Sequence, residues 1–261
     1  MENITNKHFK GMVNMPSARH AQITIIENIS FKDVTFTTST LLLHIFKNCK
    51  FQNCKFTSEE DAQYILYSNN CVSQPQITNF CNCSLHECEF VHAKIDNICF
   101  KDSILENNIF TECHMNRIDF GDTTEIYNCI FNNVQASITK FSKMRHCSFT
   151  DSTINYAVFR SIHDTEYVNC IMQDVNMTYT IITRTNFHRC DMTNASYSNA
   201  LFSSVEFKYC DLERGFEDAT FYDVKIRTSV SRGKNIDLSG ATIKTPVIIE
   251  VDEGEKKNET R

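Results

Sequence analysis

The sequence predicts a single all-β solenoid, and three observations carry that expectation. A large apolar residue recurs every five positions along most of the 261-residue chain. The residue two before each of these is small or β-branched. Turn formers are scarce, with six Gly and three Pro in a chain crowded with Asn, Ser and Thr, so the turns must come from repetition rather than from scattered breakers.

The period fits neither the 3.6 of a helix nor the 2.0 of an ordinary strand. One unbroken run is Phe80, Leu85, Phe90, Ile95, Phe100, Leu105, Phe110, Met115 and Phe120. A second leads from Tyr167 through Met172, Met177, Ile182, Phe187, Met192, Tyr197, Phe202 and Phe207 to Leu212, and a third from Ile26 to Phe56. With phase shifts allowed between runs, 19 of the 20 Phe are central, all but Phe9. Repetition at a short fixed period means units that bury nothing alone and a core only when stacked.

The pattern small-x-large-x-x, written here as "CEFVH", "AKIDN", "CHMNR", "CDMTN", "ASYSN" and "CDLER", resembles the pentapeptide-repeat family over residues 24 to 245. That resemblance implies four pentapeptides to a square coil, and about ten coils stacked into a right-handed quadrilateral β-helix. At a spacing of about 4.8 Å, residues twenty apart lie one above another. Phe80, Phe100 and Phe120 then form one ladder, and Phe90 and Phe110 another on the opposite wall.

The elements follow in order. Residues 1–23 read as an N-terminal segment or cap, and 24–245 as the coils. Phase slips fall after Phe120, Leu212 and Ile226, where Gly121, Gly215 and Gly233 tolerate unusual corners. Pro16, Pro75 and Pro246 lie outside the repeats, where no ladder needs their missing N–H. The interruption at 57–79 reads either as a loop, with a short helix capped by Ser58 and Asp61, or as a degenerate coil. Residues 246–261 read as a charged tail without regular structure.

Composition narrows the function. A net charge of −6 and a pI near 5.8 argue against direct nucleic-acid binding and against docking on an anionic membrane. No stretch approaches the ~18 apolar residues of a membrane span. The first residues lack the apolar run of a secretory signal, and thirteen cysteines suit a reducing cytosol, so a cytoplasmic protein is expected. The alternative is secretion into a host cell.

"CNCSLHEC" at 81–88 looks like a metal site, but ten of the cysteines, Cys83 and Cys88 among them, sit two before a centre and should be small buried hydrophobes. Cys81 and His86 follow their centres and should point out, so the four cannot share a tetrahedral shell. No phosphate loop, nucleophile elbow or H-E-x-x-H occurs. Neither catalysis, nor a cofactor, nor a metal is expected.

Two regions are candidates for binding a protein partner. The interruption offers Glu59, Glu60, Asp61, Tyr64 and Tyr67. Residues 80–125 carry nine acids against three Lys or Arg, with Glu87, Glu89, Asp102, Glu106, Glu112, Asp119 and Asp122 as candidate contacts. The resemblance implies a possible DNA mimic, since some family members engage DNA gyrase or topoisomerase IV. The C-terminal stretch does not look like the dimerising helix of those members, which leaves a monomer or weak homodimer. The other readings are a type III secreted effector, whose composition this chain resembles, and an intracellular scaffold.

Overall fold

A computed structural model describes residues 24–37, 44–58, 80–212, 215–229 and 236–252. Within them every regular element is a short β-strand, and every pairing is parallel. The parallel register joins successive coils: Ile104, Leu105 and Glu106 lie over Ser84, Leu85 and His86, and Phe110 lies over Phe90. The fold is a β-solenoid of about nine turns, against the ten or so coils expected, and of the right-handed quadrilateral form that the resemblance implies. In the coil from Phe100, the four walls are centred on Phe100, Leu105, Phe110 and Met115, and are called first to fourth below.

The core is the set of central residues with the small residues two before them. All nineteen central Phe are buried, as are Cys49, Cys54, Cys83, Cys88, Cys113, Cys129, Cys147, Cys170, Cys190 and Cys210. On the first wall Phe80, Phe100 and Phe120 stack at 4.8 and 5.2 Å between ring centroids. On the third wall a continuous stack climbs from Phe56 through Phe90, Phe110, Phe131, Phe149, Tyr167 and Phe187 to Phe207, with spacings of 4.3–5.0 Å. No pentapeptide can bury a ring by itself, so each coil depends on the next.

The corners explain the shortage of glycine. Among the described residues thirty non-glycine residues have positive φ, each two after a centre, and eighteen of them are Asn or Asp. Those two side chains enter the left-handed region at lower cost than other residues with a Cβ. Several also bond along the corner: Asn82 Nδ2 donates to Asn48 Oδ1 at 2.9 Å, and Asn48 Nδ2 to Asn28 Oδ1 at 3.2 Å.

Two features depart from the sequence reading. Beyond the slip after Phe120, the chain omits the corner after Phe141 and again after Phe159. Lys140–Arg145 and Val158–His163 each run as one strand through the first and second walls. The register Ile126↔Met144↔Ile162 shows those coils closing in eighteen residues instead of twenty. The expected tail also begins later than 246, because Ile248–Asp252 forms a strand paired to Lys225–Ser229. Ile249 continues the third-wall row over Ile226, so the apolar content of "VIIEV" outweighs the charge of the residues after it. Residues 1–23 and 59–79 lie outside the described residues, and with them the choice between loop and degenerate coil.

Candidate protein-binding face

The two residues flanking each centre point outward, and stacking turns them into rows. The acids singled out from the sequence fall on the first three walls and on the corners beside them. Asp119 is on the first wall, where Lys140 of the next coil reaches its Oδ2 at 3.4 Å. Asp122, in the slip after Phe120, meets Arg160 Nη1 at 2.5 Å, and Glu125 meets Lys143 Nζ at 4.0 Å. Asp102 is a positive-φ corner residue and accepts a hydrogen bond from Thr123 Oγ1. Asp119, Asp122 and Glu125 are therefore matched by cations of the following coils, Glu125 lying on the second wall over Ile104. Such exposed pairs contribute about 0–1 kcal/mol each and leave little net field.

Glu87, Glu89, Glu106 and Glu112 are placed differently. Glu106 lies directly over His86, with Oε2 at 3.8 Å from Nε2, and the Glu87 carboxylate is 3.5 Å from the same ring at Nδ1. Glu112 is 3.0 Å from His92 Nδ1 on the corner between the third and fourth walls. Glu89 faces outward from the third wall in the coil below Ile109. These four acids sit in two consecutive coils around the second and third walls, and among the described residues Glu87, Glu106 and Glu112 pair with histidines.

The same walls expose apolar side chains. Ile104, beside Glu106, and Tyr127, stacked over it, are exposed on the second wall. Ile109 and Ile130 are exposed one above the other on the third. Sequence reasoning passed over these four. The signal was available, since each is a large apolar residue next to a centre, a position the period turns outward. Glu59, Glu60, Asp61, Tyr64 and Tyr67 lie outside the described residues. Ser58, just before them, still belongs to the stack, its Oγ accepting from the Lys94 backbone N–H at 3.1 Å.

A second charged corner stands higher on the rod. Arg184 donates to both oxygens of Asp164, at 2.6 and 2.7 Å, and His146 Nε2 is 3.9 Å away. The Arg184 guanidinium holds the Asp164 carboxyl below the usual carboxylate range. This pair ties two coils together in the manner of the asparagine corners.

The cysteines of "CNCSLHEC" separate as expected. Cys83 and Cys88 are buried on the second and third walls and donate to the carbonyls of Phe46 and Phe51 at 3.4 and 3.7 Å. Cys81 and His86 are partly exposed on the first and second walls. Among the described residues no three His, Cys, Asp or Glu converge on a point that would suit a metal ion. The twelve described cysteines are free thiols. Burial pushes the Cys113 and Cys147 thiols up to about 11, which keeps them protonated and unreactive at neutral pH.

Comparison with known proteins bears on the repeat. The pentapeptide-repeat family matches in eight copies over residues 170–208. No curated protein sequence matches. Among solved structures, HetL, a pentapeptide repeat protein involved in heterocyst differentiation regulation in the cyanobacterium Nostoc, is 11% identical over 89% of each chain, with a TM-score of 0.36. QnrB1, a plasmid-mediated fluoroquinolone resistance protein, is 14% identical over 82% of this chain and 91% of its own, with a TM-score of 0.32. PfbA, a surface adhesin of Streptococcus pneumoniae, is 8% identical over 92% of this chain and 78% of its own, with a TM-score of 0.40. Likenesses this distant carry no argument about function. The family match itself falls inside the run from Tyr167 to Leu212, and inward centres with small residues two before them continue through the coils on either side. Residues 170–208 are thereby identified as pentapeptide repeats, and the other described coils repeat their pattern.

Proposed function

We propose that this chain acts by binding, without catalysis, and that its partner is a protein carrying a basic surface with apolar pockets. The observation that supports this is the meeting, on two adjacent walls, of exposed Ile104, Ile109, Ile130 and Tyr127 with Glu87, Glu89, Glu106 and Glu112. Apolar and aromatic anchors supply most of the affinity in such a face, and the surrounding charge steers the encounter. The strands beneath are held by a filled core, so the face is presented without an ordering cost. The family resemblance makes a type II topoisomerase the first partner to test. Against a DNA-like surface stands the first wall, where Asp119 and Asp122 are already matched by Lys140 and Arg160.

The test is capture of partners from cytosol by the wild type and by Ile109→Lys/Glu106→Lys, with a DNA gyrase supercoiling assay run in parallel. The reading expects at least a tenfold loss of capture, worth about 1.4 kcal/mol, at unchanged stability. An Asp122→Ala control, whose carboxylate is already paired to Arg160 beside the first wall, should bind as the wild type does. Equal capture by the double variant would sink the face, and an unaltered supercoiling reaction would remove the topoisomerase while leaving the face standing.

A further inference from the structure

Two of the nine histidines stand among the carboxylates of the second and third walls. The period places both: His86 comes just after the centre Leu85 and points outward, and His92, two after the centre Phe90, turns a corner at φ of 50°. The His86 ring lies between two acids, with Nδ1 at 3.5 Å from Glu87 Oε2 and Nε2 at 3.8 Å from Glu106 Oε2. Asn107 Nδ2 is closer to Nε2, at 3.3 Å. Asn128 Nδ2 donates to Asn107 Oδ1 at 2.6 Å, so the Asn107 amide turns its N–H groups toward the ring. Nε2 is then the acceptor, and Nδ1 carries its proton toward Glu87, which is the neutral imidazole. Gln52 lies under His86, and the cation of that strand, Lys50, is on the other side of the centre under Ser84. His92 Nδ1 is 3.0 Å from Glu112 Oε2 of the coil above. Ser58 is in the coil below it, Lys94 is two residues on, and Lys55 lies under Glu89.

We infer that mild acid weakens partner binding at this face, and that His86 and His92 are the groups that sense it. The inference rests on the face proposed above and adds its regulation. Histidine changes charge between about pH 5 and pH 8, where carboxylates in water stay ionised. Protonation therefore sets two positive charges among the four carboxylates, within 3.0–3.8 Å of three of them. A basic partner then loses both attraction and steering. The change at His86 is also structural. Nε2 becomes a donor while Asn107 offers it only donors, so that hydrogen bond is lost and Nε2–H turns to Glu106. Glu106 is thereby drawn onto its own chain, beside Ile104 and under Tyr127, the apolar contacts of the same face.

Binding of a fluorescent amphipathic peptide of lysine and leucine to the full chain, at about pH 8 and about pH 5.5, tests it, since the peptide keeps its charge at both. The wild type is expected to bind about tenfold more weakly at the lower pH, and His86→Gln/His92→Gln to show a ratio near one. A wild type that binds equally at both, or a double variant that keeps the wild-type ratio, overturns the inference. Ile109→Lys/Glu106→Lys at the higher pH separates this failure from that of the face. If it abolishes binding while the wild type ignores pH, the sensing is gone and the face stands. If it binds as the wild type does, the face is gone and the inference with it. A second arm needs only the wild type and no ligand: proton–nitrogen correlation spectra of the His86 ring. The Nδ1–H form is expected at the higher pH, with the Asn107 side-chain amide shifting as the ring titrates. An Nε2–H ring there, or an Asn107 amide that does not respond, overturns the inference.

Discussion

Each corner of the coil asks one residue to take a positive φ, and the identity of that residue sets the local cost. Asn and Asp meet the demand at most corners, which is how a chain with six glycines turns so often. Ile138 does not: it has φ of 58° with a β-branched side chain that is 54% exposed, so strain is added while little apolar burial is gained. Ile138→Asn should stabilise the protein by about 1 kcal/mol, read as a higher denaturant midpoint at unchanged slope. An unchanged or lower midpoint would show that the corner carries no such strain. Asp102 shows what the period alone conceals. The sequence marks it only as an outward acid, yet it sits at φ of 55° and accepts from Thr123. The sequence marks which side chains face out, but not which of those also hold the backbone in a demanding conformation.

At the scale of the strand, local propensity decides little. Strands such as Ile109–Thr111 have three residues, and their stability comes from the coils above and below. Phe100 shows this, lying between Phe80 at 4.8 Å and Phe120 at 5.2 Å with no exposed surface. Phe100→Ala should cost about 3–5 kcal/mol because the cavity opens where neighbouring coils cannot close in. Glu89→Ala, outward on the third wall, should change stability by no more than about 0.5 kcal/mol. Urea midpoints ranking the two the other way would reverse the inward and outward assignments. The ladder was legible because twenty residues separate its members. The eighteen-residue coils were not: centres three apart, as in Phe141–Met144 and Phe159–Ile162, give no visible corner signal, only a strand that keeps going. The last strand was hidden for another reason, since the charged residues after Asp252 masked the alternation of "VIIEV".

Over the whole molecule, stacking determines which outward residues meet. The run of acids from 80 to 125 looks like one feature in the sequence, and the coils divide it in two. Asp119, Asp122 and Glu125 are matched to Lys140, Arg160 and Lys143 from later coils, while Glu87, Glu106 and Glu112 are left with histidines beside exposed isoleucines. Sequence could name the acids but not this division, because it depends on the slip after Phe120 and the shortened coils that follow. All of it rests on the assignment of two inward positions in every five. An aspartate scan from 98 to 120, read by denaturant midpoint, tests that assignment most directly. Loss of folding is predicted at Phe100, Leu105, Phe110, Met115 and Phe120 and at Ile98, Ser103, Asn108, Cys113 and Ile118, with tolerance at outward Lys101, Ile104, Glu106, Ile109 and Thr111. Sensitivity that repeats every two or every 3.6 residues, or that is uniform along the segment, would contradict it.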